Sequence, residues 1–303
     1  MIESFLNSSI LFQMTFIAYI LAFSAYLASY AYYIRWGLRQ NSPTTQSSMT
    51  FSDHRSIVKW TATGLFLLAV LLNISLFAFQ WEDSGRLPIR TFYETLIYLS
   101  LTLSLVFLVV EFSFKIRIFG LLVSAILMGI FLYALTKRDV ELTKQIMPAL
   151  RTPIMIPHVM SYILGYATLF VASISASLYL IKPNGIKGFW VISDEEKVDF
   201  SRYTYPITKF AFLFLTFGIL LGALWGQRAW ANYWGWDPKE NWAELSWLSM
   251  VGYFHLKFLK TWNEKKLSWL VITGGIVILF TYLGMSSLPN DIKQGSLHIY
   301  IEE

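Results

Sequence analysis

Residues 60–80 read WTATGLFLLAVLLNISLFAFQ, a run without a single charged side chain. An α-helix needs about 20 consecutive apolar residues to cross the hydrocarbon core of a bilayer. The run is continuous and lacks the alternation of a barrel strand, and only a helix satisfies its own backbone hydrogen bonds within one segment in lipid. This stretch therefore predicts a transmembrane helix.

Seven further apolar stretches extend this prediction along the chain. They cover roughly 10–34, 92–110, 118–135, 157–181, 209–226, 244–261 and 268–286. Charged residues make up only 14% of the chain, against about 25% in soluble domains. The sequence thus predicts an all-α polytopic membrane protein, a bundle of about eight transmembrane helices in a single integral membrane domain over residues 1–303. The stretch nearest the N-terminus, 10–34, lacks a basic leading region and a clear cleavage site, so we expect a transmembrane helix there and not a signal peptide.

The distribution of Lys and Arg predicts the orientation of these helices. The loops on one side of the predicted membrane carry fifteen of these residues and the loops on the other side carry nine. Cytoplasmic loops are enriched in positive charge, so the first set is expected to face the cytoplasm or its stromal equivalent. Both termini would then lie outside. The longest cytoplasmic loops would be 36–59 and 182–208.

The absence of cysteine excludes several kinds of chemistry. The chain forms no disulfide of its own, binds no iron–sulfur cluster through cysteine and has no thiol nucleophile. If a thiol reacts here, a substrate supplies it. We expect a lipid bilayer around the chain and no nucleic-acid partner.

Six of the twelve tryptophans fall within residues 225–247, where the sequence from 229 to 247 reads AWANYWGWDPKENWAELSW. Aromatic belts at membrane interfaces explain scattered tryptophans, but they do not explain six in one short segment. A dense aromatic surface with a few polar groups suits a large, flat, amphiphilic ligand such as a porphyrin. We therefore interpret 225–247 as an external haem-binding segment.

Three of the four histidines are candidate iron ligands. His158 and His298 lie at predicted outer borders of the membrane, and neutral imidazole is a natural axial ligand for haem iron. His255 lies inside the seventh span, where ionisable residues are rare and usually functional. Each also has an ordinary explanation as an interfacial, solvated or snorkelling histidine. His54 is expected to be a residue of the first cytoplasmic loop.

Charged residues beside the tryptophans have both a structural and a functional interpretation. Asp237, followed by Pro238 and three residues later by Glu240, predicts a capped start for the seventh helix. Arg151 and Arg228 lie on the predicted outer side and are candidates to pair with haem propionates, because Arg binds carboxylates bidentately.

The tryptophan segment resembles the WWD signature of the haem-handling proteins, and four further segments are similar to those of the CcsA (ResC) family of system II cytochrome c biogenesis. They are GRLPIRTFYETLIYLS at 85–100, PALRTPIMIPHVMSYILGYATL at 148–169, FHLKF at 254–258 and GSLHIY at 295–300. Ala231, Gly235 and Asn241 differ from the residues common in the family, which are Gly, Ser and Thr. These exchanges remove no candidate ligand.

The resemblance implies specific residue roles. His158 and His298 would ligate haem iron at an external site, and His255 would do so within the membrane. The expected surface around the external haem consists of Trp230, Tyr233, Trp234, Trp236, Asp237, Glu240 and Trp242, with Arg151 and Arg228 at the propionates.

The resemblance also implies partners and an activity. A second membrane subunit, CcsB (ResB), would join the chain in a holocytochrome c synthase complex, and haem b would be attached as substrate to the CxxCH motif of apocytochrome c. The membrane would be a bacterial plasma membrane or a thylakoid, with the tryptophan segment on the periplasmic or lumenal side. Catalysis by this chain alone is left open. Two alternatives are a haem transporter or chaperone without attachment activity, and a small-molecule transporter with an aromatic site.

Overall fold

The computed structural model describes the backbone of residues 2–40, 50–114, 116–141, 148–184 and 198–284. It describes the side chains of 7–32, 60–114, 116–137, 148–184 and 198–284. His298 and the predicted outer tail lie outside these ranges. The sides of the membrane on which the termini lie, and the single membrane domain over 1–303, stay predictions.

Eight long α-helices make up nearly all of the described backbone, and it contains no β-strand, which confirms the predicted fold class. They are α1 (Ile2–Gln40), α2 (Thr50–Ser84), α3 (Phe92–Phe114), α4 (Ile118–Glu141), α5 (Met155–Ile181), α6 (Ser201–Trp230), α7 (Pro238–Phe258) and α8 (Glu264–Leu279). A 3-10 helix, Pro148–Arg151, precedes α5, and a π-helical turn, Phe280–Gly284, ends α8.

Seven of these helices are long and apolar enough to cross a membrane, judged by length and composition within the described residues. The chain is thus an integral multi-pass membrane protein. The seventh predicted span, 244–261, corresponds to α7, which is not among these seven helices. Its sequence PKENWAELSWLSMVGYFHLKF includes Glu240, Glu244, His255 and Lys257, and these polar residues lower its hydropathy.

The helices extend beyond the predicted apolar stretches, so two predicted loops are shorter than expected. α1 continues to Gln40 and α2 begins at Thr50, so most of the predicted loop 36–59 is helical. The prediction of His54 as a loop residue is therefore wrong, because it lies in the first turns of α2. Likewise α6 begins at Ser201, inside the predicted loop 182–208. Polar residues end an apolar stretch, but they do not end a helix.

The helices fall into two compact units, α1–α4 and α5–α8. In the first unit, the buried Glu111 carboxylate accepts hydrogen bonds from the Tyr26 hydroxyl at 3.1 Å and the Thr63 hydroxyl at 2.9 Å. Arg117 Nε lies 3.9 Å from Glu111 Oε1. A carboxylate in a membrane helix needs such partners to offset its desolvation.

The second unit contains every described residue of the predicted haem site. In it, α5 and α6 approach closely because small residues face the neighbouring helix. A Cβ added to Gly165 would lie 2.9 Å from Leu215 Cδ2, and one added to Gly218 would lie 2.8 Å from Tyr162 Cδ2. Such glycine contacts are typical of helix packing in membranes, where close van der Waals contact drives association.

Candidate functional site

The six clustered tryptophans have different environments. Trp225 is 4% exposed, whereas Trp236, in the loop between α6 and α7, is 73% exposed. Trp247 Nε1 donates to Thr216 Oγ1 at 2.9 Å, and the Trp242 ring packs on Phe280 with 4.5 Å between ring centroids. The exposed aromatic surface is therefore formed mainly by residues 231–237, which we call the tryptophan loop, where Tyr233 is also exposed.

This loop has an unusual backbone. Ala231, which follows α6, has φ 57°, and Trp236 also has φ 57°. Left-handed backbone is uncommon for residues other than glycine and costs free energy, so it persists only where the surroundings impose it. Trp236 thus takes a strained conformation that presents its ring to the surface. The Trp234 and Trp236 rings meet edge to face at 6.5 Å.

The first turn of α7 holds the loop in this conformation. Glu240 Oε2 accepts hydrogen bonds from the backbone N–H of Gly235 at 2.8 Å and of Asp237 at 3.2 Å. Asn241 Nδ2 donates to the Trp236 carbonyl oxygen at 3.2 Å. These bonds on both sides of Trp236 fix the backbone conformation of the loop.

Asp237 caps α7, as the sequence predicts. Its carboxylate is 2% exposed and accepts a hydrogen bond from the Lys239 N–H at 2.7 Å, and Glu240 completes the capping box. Burial lowers the pKa of the Lys239 ammonium, and the neighbouring Asp237 carboxylate opposes that shift. The main observed role of Asp237 is therefore to join the loop to the helix.

Replacing Glu240 with alanine is expected to release the loop. The variant loses two hydrogen bonds to a charged acceptor, worth together about 3 kcal/mol, so the open loop should be populated about 150-fold more. Chymotrypsin cleaves after exposed aromatic residues, and its rate of cleavage after Tyr233, Trp234 or Trp236 measures the opening.

Glu244→Ala is the matched control, since Glu244 lies one turn further along α7 and has no hydrogen bond to the loop among the described contacts. Equal cleavage rates in the two variants would contradict the proposed clamp.

His158 lies at the start of α5, where Pro157 occupies the first turn as predicted. Its Nδ1 is 2.9 Å from the carbonyl oxygen of Gly218 in α6. A carbonyl oxygen can only accept a hydrogen bond, so Nδ1 carries the proton and donates it. The lone pair of the neutral imidazole is then on Nε2.

Two aromatic rings hold the imidazole. The Trp225 ring is stacked on it at 5.4 Å with an interplanar angle of 23°, and the Tyr162 ring meets it edge to face at 5.1 Å. Trp225 is itself fixed, because its Nε1 donates to the Ala149 carbonyl oxygen at 3.0 Å and its ring packs with Leu150 and Met155.

A line of glycines on α6 connects this histidine to the tryptophan loop. Gly218, Gly222 and Gly226 are four residues apart and lie on one side of the helix. A Cβ on Gly222 would lie 2.6 Å from His158 Cε1, and one on Gly226 would lie 3.0 Å from the Asn232 carbonyl oxygen in the loop. Trp230, in edge-to-face contact with Trp225 at 4.7 Å, joins the two regions.

The remaining candidate residues are more dispersed. Arg151 and Arg228 are both exposed, at the end of the 3-10 helix and in the last turn of α6. His255 is exposed on α7, 17 residues after Pro238, which is about 26 Å along a helix. It therefore lies near the end of α7 that is remote from the tryptophan loop.

Comparison with known proteins identifies the family. Residues 89–293 match the family described as Cytochrome C assembly protein. The chain is 34% identical over 235 residues to the cytochrome c biogenesis protein CcsA of Chlamydomonas reinhardtii, a match that covers 76% of this chain and 65% of that one. It is 32% identical over 258 residues to CcsA of Prochlorococcus marinus (strain AS9601), covering 76% and 84%. The chain belongs to the CcsA family. Another relative is CcsA of Guillardia theta, at 29% identity over 74% of this chain and 82% of that one.

Membership of the CcsA family places the chain in cytochrome c biogenesis and implies that it handles haem. It also confirms the family resemblance inferred from the tryptophan motif. The individual ligand roles of His158, His255 and His298 stay predictions.

Sequence reasoning did not select Gly218 and Gly222, which the structure brings to His158. It included Trp225 in the tryptophan segment but did not predict its contact with His158. The four-residue spacing of Gly218, Gly222 and Gly226 was a usable signal for a close helix contact, but the spacing does not reveal which residue occupies the contact.

Proposed function

We propose that this chain presents haem b, as a substrate, to apocytochrome c at a site between His158 and the tryptophan loop. The contacts that hold the His158 imidazole in place carry the proposal. Its Nδ1–H donates to the Gly218 carbonyl, its ring is stacked on the buried Trp225, and the contact continues through Trp230 towards the loop.

The residues around His158 fit haem. Ligating histidines usually donate their second ring N–H to a carbonyl or carboxylate, which fixes the tautomer and increases the basicity of the ligand nitrogen. His158 has this arrangement with a backbone carbonyl. The rings of Tyr233 and Trp236 offer flat apolar surface to a porphyrin, and at 57% and 73% exposure they are accessible to it.

The other proposed contacts of the haem come from residues on the same predicted side of the membrane. His298, outside the described residues, is the proposed second axial ligand. The exposed guanidinium groups of Arg151 and Arg228 are the proposed partners of the haem propionates. The buried Asp237 and the bonded Glu240 contribute by fixing the loop. Trp242, whose ring packs on Phe280, is proposed to line the site from α7.

His255 is the proposed ligand of haem within the membrane. An ionisable side chain exposed on a transmembrane surface is costly in lipid, so another group is expected to cover it. A histidine of the partner subunit, CcsB (ResB), would supply the second axial ligand there. Haem would enter near this remote end of α7 and leave at the tryptophan loop, on the periplasmic or lumenal side of a plasma or thylakoid membrane.

The chemistry of attachment follows from the reactants. The two thiols of CxxCH each add across a haem vinyl group, so that sulfur bonds to one vinyl carbon and the thiol hydrogen goes to the other. This chain, which has no cysteine, would contribute by holding haem where the vinyl groups and thiols meet. Such positioning can replace a large part of the entropic barrier.

Reconstitution with the partner subunit tests the proposal. The purified complex is mixed with haem, dithionite and an apocytochrome c, and covalent haem is measured by peroxidase activity after denaturing electrophoresis. We expect covalent haem on the cytochrome, and none on a variant cytochrome with both CxxCH cysteines changed to serine. Haem that binds to the complex and passes to the cytochrome without becoming covalent would instead indicate a haem chaperone without attachment activity.

A further inference from the structure

We propose that Gly222 and Trp225 are positioning residues that aim Nε2 of His158 at the haem iron and thereby set the strength of its axial bond. This inference rests on the proposed function, because it assumes that His158 is an iron ligand. It adds a role for one face of α6, since Gly222 and Trp225 are not among the proposed iron ligands.

Helix α6 fixes the imidazole of His158 from three directions. Gly218 accepts the Nδ1–H, Gly222 lies against Cε1, and Trp225 covers one face of the ring. These three residues are spaced four and three apart, which places them on one side of a helix. The ring of His158 therefore fits a recess on one side of α6.

This recess has no room for a residue larger than glycine at position 222. A Cβ there would lie 2.6 Å from His158 Cε1 and 2.9 Å from Nδ1. The imidazole would have to move, because a helix backbone yields less than a side chain. Trp225 blocks movement towards its own face, since it is held by the Ala149 carbonyl and by its neighbours Leu150 and Met155.

Displacement of the imidazole would make it a weaker iron ligand. Displacing the imidazole lengthens or breaks the Nδ1–H···O=C bond, and this bond both selects the tautomer with the lone pair on Nε2 and increases the donor strength of that nitrogen. A weaker imidazole donor stabilises ferric iron less. The midpoint potential of the external haem should therefore rise, and a fraction of it should become five-coordinate.

Gly222→Ala, in the full complex with the partner subunit, tests the inference. We expect haem transfer to an excess of apomyoglobin to become about 10- to 100-fold faster, which is the usual effect of losing a contact that orients a ligand. The midpoint potential should rise, and added imidazole should restore the six-coordinate spectrum. Unchanged transfer and potential would overturn the inference.

Gly165→Ala is the matched control, because it also introduces a methyl group between α5 and α6 but meets Leu215 and not His158. If general loosening of the two helices were the cause, both variants would shift the potential equally, which would contradict the inference. A positioning role predicts the shift in Gly222→Ala alone.

If Gly222→Ala does not yield folded protein, Trp225→Phe tests the same inference. It removes the Nε1–H donor to Ala149 and part of the stacked ring, and we expect a smaller rise in potential with the same rescue by imidazole. A potential identical to that of the wild type would overturn the role of Trp225.

His158→Ala separates the two proposals: if its haem spectrum and potential equal those of the wild type, His158 is not a ligand and the proposed site itself fails.

Discussion

Cytochrome c maturation is expected to be abolished when His158 is replaced with alanine. The substitution removes the only imidazole that the described part of the second unit places beside Trp225 and the glycines of α6. Losing a contact that merely orients a ligand costs about 10- to 100-fold in affinity or activity, so loss of the ligand itself should reduce covalent haem by more than about 100-fold. Covalent haem on a co-expressed reporter cytochrome measures this effect.

His54→Ala is the control, because His54 lies at the other end of the chain, in the first turns of α2. Its maturation level should match that of the wild type. Imidazole added to cells that carry His158→Ala should restore part of the covalent haem. Full maturation without imidazole would show that His158 is not required and would contradict the proposed external ligand. His298→Ala is expected to fail in the same way as His158→Ala.

Replacing His255 with alanine should remove haem from the complex as a whole. In the proposed route haem passes the intramembrane site before it reaches the tryptophan loop, so loss of the first ligand leaves both sites empty. We expect the haem that co-purifies with the complex to fall by at least about tenfold. The Soret absorbance per mole of purified complex measures this ratio.

A comparison with His158→Ala makes this test directional. That variant should retain haem at the intramembrane site, whereas His255→Ala should retain little anywhere. Phe258→Ala is the matched control, since Phe258 is 84% exposed one turn further along α7 and carries no ligating atom. A normal haem content in His255→Ala would contradict the route through the membrane.

The helices were predictable because their signal is local and large. The uncharged run 60–80 lies within α2, and the Asp237 and Glu240 pattern predicted the capping box at the start of α7. The helix ends were less predictable, because hydropathy reports where a chain leaves the lipid and not where its backbone hydrogen bonds stop. Thr50 to Lys59 is helical although it is polar.

The crowding of tryptophans in 225–247 was visible in the sequence, but the arrangement of their side chains was not. The sequence gave no means to distinguish the buried Trp225 from the exposed Trp236. The contact between His158 and Gly218 joins residues 60 positions apart. It depends on how α5 and α6 pack, and helical periodicity within either segment does not determine that packing.

The strained loop illustrates the same limit. The sequence GWDPKE indicates a capped start of a helix, and this cap is present. The left-handed conformation of Trp236 arises from bonds that Glu240 and Asn241 make to the backbone on either side of it. Glycine is the usual residue at such an angle, so the tryptophan at this position did not predict a left-handed backbone conformation.

The visible absorption spectrum of the detergent-purified chain, co-expressed with its proposed CcsB (ResB) partner, tests the central claim most directly. A co-purifying reduced, six-coordinate b-type spectrum, with one component lost in His158→Ala, is the predicted result. Absence of a Soret band from an intact complex, produced in cells with ample haem, would contradict the claim that this aromatic site holds haem.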